Sequence, residues 1–200
     1  MILLKRNQIE NAAKILSEGH LIAFPTETVF GLGVVFDNEA AYKNLITVKR
    51  RPPEKPFTLM CADKTDIEKY AYVNKKAEKL IKAFMPGQFT IILKAKKCLP
   101  SWAVSKEGMV GIRIPDDKTI RELIRLTGKP LLVPSANRSG QPPLTNHLDV
   151  IKEFGGEVDA IMEGESTSNV PSTIVLVDDK INIIRVGLIT EEEIKRVLKE

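Results

Sequence analysis

The feature that most limits the fold is a succession of short apolar runs, LIAF, GLGVVF, PFTLMCA, QFTIILKA, MVGIRIP and KPLLVP, separated by stretches of helical periodicity. Runs this short, bounded by Gly, Pro and polar clusters, read as buried strands; a buried helix would need roughly ten residues or more. Between them, Asn7 is expected to cap a first helix carrying Ile9, Ala12, Ala13 and Leu16, with Gly19 ending it. Asn38 begins a second through about Arg50, and Asp63 caps a short third. A fourth runs from about Lys75 to Phe84 and stops at Met85-Pro86-Gly87. DKTIRELIRLTG is a fifth with Gly128 at its C-terminal cap, and a sixth lies near His147 to Phe154. VDAIME, STIVLVDD and KINIIRV add late strands, and Thr190 with Glu193 makes a capping box for the last helix. Strands alternate with helices in the first two thirds and cluster toward the end. The expectation is an α/β fold: an open twisted sheet of mixed parallel and antiparallel strands with flanking helices, in one domain over residues 1–200.

A chain of 200 residues, 43% hydrophobic and 28% charged, can build a core without covalent staples. Cys61 and Cys98 are the only cysteines, no signal-like start is present, and no apolar run approaches the roughly 20 residues that span a bilayer. A cytoplasmic protein with reduced thiols and no membrane contact is expected. The formal charge of +4 is unevenly spread: residues 43–106 carry +10, whereas 1–42 and 150–200 carry −2 and −5. Such a block attracts phosphates or a nucleic acid backbone; for KKAEKLIK a solvated helix face is the better reading of the lysines.

Absent patterns exclude whole classes. There is no G-x-x-x-x-G-K-[ST] loop and no G-x-G-x-x-G fingerprint after a strand. His20 and His147 have no metal-ligand spacing to the cysteines, and Asp116-Asp117 suits a helix N-terminus better than an acid/base couple. Polar loops at strand ends remain. In FPTETVFGLGV, Thr26, Glu27 and Thr28 emerge together at the tip of LIAF, and Gly31 and Gly33 permit a turn and close approach to a neighbour or ligand. Taken alone, this segment reads equally well as a plain hairpin. VKRRPPEKP presents Lys49, Arg50, Arg51 and Lys55 on a proline-restricted backbone, where Arg can grip a phosphate or carboxylate through two parallel bonds. Arg113 sits inside an apolar strand, where a lone charge demands either a bound anion or an internal partner such as Glu27. VPSANRSGQPP offers Ser135, Asn137 and Ser139 with Gly140 for backbone access. PSTIVLV repeats the theme at Ser172 and Thr173, and IIRVG adds Arg185. Together these loops favour a polar, anion-binding cleft.

PTETVFGLG, the K-x-R of VKRRPPEKP, VGIRIPD, SANRSG, PSTIV and IIRVG resemble the YrdC-like family, whose best understood members are threonylcarbamoyl-AMP synthases. The matches run in family order over nearly the whole chain. The resemblance implies a YrdC-type domain with a concave basic cleft, and a nucleotidyl transfer in which L-threonine, bicarbonate and ATP give threonylcarbamoyl-AMP and pyrophosphate. That product would feed a separate threonylcarbamoyl transferase acting on tRNA. It implies Thr26 beside threonine, Lys49 and Arg51 as catalytic cations on phosphates or carboxylate, and Arg113 facing the threonine carboxylate. Ser135 and Asn137 would contact ATP, with Ser172, Thr173 and Arg185 completing the amino-acid and nucleotide sites. Mg2+ would ride on the ATP phosphates, so no protein metal site is expected. Some members carry a histidine on the strand after the basic loop, where PFTLMCA offers Met60 or its neighbours, and the chain looks like the short form without the longer branch's added domain. The alternative is an RNA-binding module that uses residues 43–106, although aromatics are only 6% of the chain and do not interleave with the basic run. Direct tRNA contact is left open.

Overall fold

A computed structural model describes residues 1–52 and 56–199. Its ten strands are β1 (Ile2–Leu4), β2 (Ile22–Phe24), β3 (Gly31–Val35), β4 (Leu59–Met60), β5 (Phe89–Lys94), β6 (Met109–Arg113), β7 (Leu131–Leu132), β8 (Ala160–Met162), β9 (Thr173–Val177) and β10 (Ile181–Arg185). They form one sheet in the order β1-β8-β2-β3-β7-β4-β6-β5-β9-β10. The pairs β1/β8, β2/β8, β4/β6 and β5/β9 are parallel, and the rest are antiparallel. The expected mixed α/β sheet is therefore observed.

Among the described residues seven α-helices flank it: α1 (Ile9–Ser17), α2 (Glu39–Lys49), α3 (Lys64–Tyr70), α4 (Lys75–Phe84), α5 (Lys118–Thr127), α6 (His147–Phe154) and α7 (Glu191–Lys199). One apolar cluster joins Ala12 and Leu16 of α1 to Ile120, Leu123 and Ile124 of α5 over Ile22 and Phe24. The other joins Leu45 of α2, Leu80 of α4, Phe154 of α6 and Ile194 of α7 over Leu32, Leu59, Ile91 and Val175. Strands β2, β3 and β4 are buried at every position, which is why they read as continuous apolar runs. Strand β9 instead alternates: Thr173, Val175 and Val177 are buried, whereas Ile174 and Leu176 are half-buried on the other face.

Caps follow the side-chain chemistry. Asn38 Oδ1 accepts from the Ala41 N–H, and Asn74, Asn146 and Asp117 cap α4, α6 and α5 in the same way. Gly128 ends α5 at φ 75°, and Thr190 with Glu193 exchange the reciprocal bonds of a capping box. Asn7 is not the cap; Gln8 stands there, its side chain turned back to the Lys5 N–H. β1 was not foreseen, because its three residues carry no alternation or turn signal of their own. PFTLMCA and KPLLVP each contribute only two residues to the ladder. Gly31 and Gly33 do not turn the chain: they lie within β3, where a Cβ would stand 2.6 Å from Val133 Cγ1 and 2.4 Å from Phe24 Cε1 respectively. Close approach, not positive φ, is what requires glycine there.

Candidate functional site

The strand-end loops converge. The tip after β2, the segment after α2, the ends of β4 and β6, the loop after β7 and the start of β9 surround a cavity of about 150 Å³. Its wall includes Thr28, Arg51, Thr58, Met60, Thr90, Arg113, Ser135, Ser172 and Arg185. A second, more apolar hollow of about 490 Å³ shares Arg51, Phe57, Thr58, Thr90 and Ile174 with it and continues along Ile92, Met109, Gly111 and Leu176. The half-buried face of β9 thus floors the site.

Three guanidinium groups reach the cavity wall, each from the end of a different element. Arg51 follows Arg50, whose left-handed φ of 51° ends α2 and redirects the chain. Its guanidinium lies 5.0 Å from the Phe57 ring centroid and donates to the Pro56 carbonyl at 3.3 Å; burial lowers its pKa from the ordinary value, against a raising influence from Tyr42. Arg185 donates through Nε and Nη2 to the Ser172 carbonyl at 3.0 and 2.8 Å. Burial, then the nearby charge of Arg113, lowers its pKa as well. Arg113 is 7% exposed; its Nη2 donates to Glu27 Oε1 at 2.7 Å and its Nε to the Gly87 carbonyl at 3.3 Å. Arg113 therefore has the internal partner Glu27 and also lines the cavity. Arg185, held by neutral acceptors beside a second cation, leaves positive charge available to an anion.

Ser135 and Ser172 also line the cavity, and the Ser172 hydroxyl shares a 2.8 Å bond with Thr90 Oγ1. The other expected residues lie behind the wall. Lys49 is 2% exposed, and its ammonium donates to Ser135 O (2.6 Å), Asn137 O (2.9 Å) and Asn137 Oδ1 (2.9 Å). Burial, with Arg51 adding repulsion, pushes its pKa down to about 7. Asn137 Nδ2 is spent on Arg138 O and Gln141 O. Ser139 donates through N and Oγ to the Lys49 carbonyl, and Arg138 bonds the Val48 carbonyl, Glu153 and Glu157 while stacking 4.5 Å over Phe154. SANRSG and the end of α2 thus form one clamped unit.

Thr26 is 3% exposed: its hydroxyl bonds the Thr28 hydroxyl (2.9 Å) and the Val29 carbonyl (2.8 Å), so Thr28 is the tip threonine at the cavity. Thr173 is fully buried, donating to Ile189 O and accepting from the Gly187 N–H. Lys55 lies outside the described residues. The lysines of KKAEKLIK form the solvated face of α4. Thr58 and Thr90 were missed; the available signal was a hydroxyl within each of the apolar runs PFTLMCA and QFTIILKA. Among the described residues no group of three or more His, Cys, Asp and Glu could hold a metal ion, and no helix is long and apolar enough to cross a membrane.

Fold and cavity together define an α/β protein whose strand-end loops bring arginines and hydroxyls to one cavity. The chain belongs to the Sua5/YciO/YrdC family, described as "Telomere recombination", whose model matches residues 14–187. A putative threonylcarbamoyl-AMP synthase of Methanocaldococcus jannaschii is 39% identical over 96% of this chain and 91% of its own length. A threonylcarbamoyl-AMP synthase of Bacillus subtilis is 37% identical over 96% of this chain but only 56% of its own length. The structure of P. abyssi Sua5 complexed with L-threonine superposes with a TM-score of 0.92 at 33% identity, covering 98% of this chain and 60% of that one.

Proposed function

We propose that this protein is a threonylcarbamoyl-AMP synthase, converting L-threonine, bicarbonate and ATP into threonylcarbamoyl-AMP and pyrophosphate. The observation that carries this reading is the meeting of Arg51, Arg113 and Arg185 with Ser135 and Ser172 around one cavity, in a chain whose relatives bear that name. The threonine amine adds to CO2 derived from bicarbonate, giving a carbamate. A carbamate oxygen then attacks the α-phosphorus of ATP, and the bond to the β-phosphate bridging oxygen breaks to release pyrophosphate.

A carbamate is a weak, short-lived nucleophile, so alignment and charge stabilisation supply the catalysis. Arg113 takes the threonine carboxylate, while Arg51 and Arg185 take phosphate oxygens; the Ser172 hydroxyl adds a bond, and Ser135, whose hydroxyl donates to Asn137 Oδ1 at 2.6 Å, shapes the nucleotide side of the wall. Lys49, Asn137, Thr26 and Thr173 hold these groups in place from behind. Mg2+ comes with the ATP phosphates, a role that asks no carboxylate cage of the protein. We place the reaction in the cytoplasm, where free Cys61 and Cys98 stay reduced, and its product goes to a separate transferase acting on tRNA. Purified protein should release pyrophosphate from ATP only when threonine and bicarbonate are both present. Threonine-independent release, or RNA binding without turnover, would count against the assignment.

A further inference from the structure

We propose that Glu27 is a positioning residue that fixes the guanidinium of Arg113 toward the amino-acid carboxylate by the place of its acceptor oxygen, independently of its charge. The inference rests on the synthase reading above. Glu27 stands at the tip after β2, and its side chain is 11% exposed. One oxygen, Oε1, accepts from Arg113 Nη2 at 2.7 Å and from the Asp116 main-chain N–H at 2.9 Å. It therefore ties the tip to the end of β6 and to the turn that leads into α5. The Glu27 carbonyl is fastened in turn by Gln88 Nε2 at 3.3 Å and by Thr167 Oγ1 at 3.0 Å. Four segments thus set where Oε1 sits.

The far side of Arg113 is set by the Gly87 carbonyl, so Nε and Nη2 are both committed and the guanidinium plane is fixed between two acceptors. A planar fork recognises a carboxylate through a pair of parallel bonds only when that plane is fixed. Glu27 Oε2 has no hydrogen-bond partner and is shielded from solvent, and Glu27 does not line the cavity. That position does not suit a proton-abstracting base, and Oε1 alone carries the organising bonds.

Two conservative variants separate geometry from charge. Glu27→Gln keeps an oxygen at the Oε1 position and removes the charge; Glu27→Asp keeps the charge and withdraws the oxygen by one methylene. The inference expects Glu27→Gln to keep KM for L-threonine within about threefold of wild type, and Glu27→Asp to raise it roughly tenfold or more, the scale of a lost bond to a charged group. KM for ATP should hold within about twofold in both. Threonine binding by calorimetry, free of turnover, should follow the same order, with thermal midpoints recorded alongside. Loss of turnover in Glu27→Gln with a normal midpoint would overturn the inference in favour of a charge or base role. Unchanged threonine affinity in Glu27→Asp would overturn it too, as would parallel losses for threonine and ATP that track the midpoint. Failure of the wild type to bind threonine or turn over would instead sink the synthase assignment.

Discussion

Replacing Lys49 by methionine tests what governs the buried ammonium. Its three acceptors are all neutral oxygens, and burial lowers its pKa from 10.5 to about 7. Between those two values the unfolded chain holds a proton that the folded chain has released, so this group makes stability rise with pH. Below about pH 7 both states are protonated, and the burden of the buried charge is constant. Integrating the two titrations from pH 6 to pH 9 gives the wild type on the order of 2–3 kcal/mol of added stability from Lys49 alone, at 1.36 kcal/mol per unit of pKa difference. Urea unfolding of both proteins at several pH values across that range reads the term as a difference, because other titrating groups cancel. Lys49→Met should be favoured over wild type most at pH 6 and lose on the order of 2–3 kcal/mol of that advantage by pH 9. A pH-independent difference, or one growing with pH, would refute the argument that desolvation dominates. The neutral amine has two N–H groups for three acceptors, so the Ser135–Asn137 loop should loosen even as global stability rises.

Arg185→Ala should cut threonine-dependent pyrophosphate release roughly tenfold or more, measured with a coupled phosphate assay, while the thermal midpoint moves little. Gly33→Ala would drive a Cβ to 2.4 Å from Phe24 Cε1 in a fully buried contact. It should cost about 1–3 kcal/mol, read as a fall of several degrees in Tm. Arg138→Ala removes two carboxylate partners, a main-chain clamp and a ring contact, and should cost about 2 kcal/mol by urea titration while raising KM for ATP more than KM for threonine.

Helices were legible because their chemistry is local: Asn38 and Gly128 state where α2 begins and α5 ends within a turn of themselves. Strand extents were not, because pairing is non-local; PFTLMCA is buried along most of its length, yet only Leu59–Met60 finds ladder partners on both sides. Of the residues that the sequence pattern singles out, the structure brings Arg51, Arg113, Ser135, Ser172 and Arg185 to one cavity wall. It could not separate them from Lys49, Asn137, Thr26 and Thr173, since a residue type at a strand tip does not reveal whether its polar atoms face the ligand or the neighbouring loop. Thr26 and Thr28 differ by two positions; the Thr26 hydroxyl turns to Val29 O and the Thr28 hydroxyl, and Thr28 is the one that lines the cavity.

The clamp between SANRSG and α2 makes the site inseparable from the whole chain. The bonds from Ser139 to Lys49 O bridge 90 positions of sequence, and the Ala136 amide is likewise tied to Phe30 O, joining a late segment to an early one. No proteolytic fragment holding only one half could retain the Ser135 wall of the cavity. In amide hydrogen exchange, Ser139 and Ala136 should open together with the end of α2, as one cooperative patch. Ligand-induced slowing at those two amides would then report occupancy of a cavity that neither amide touches.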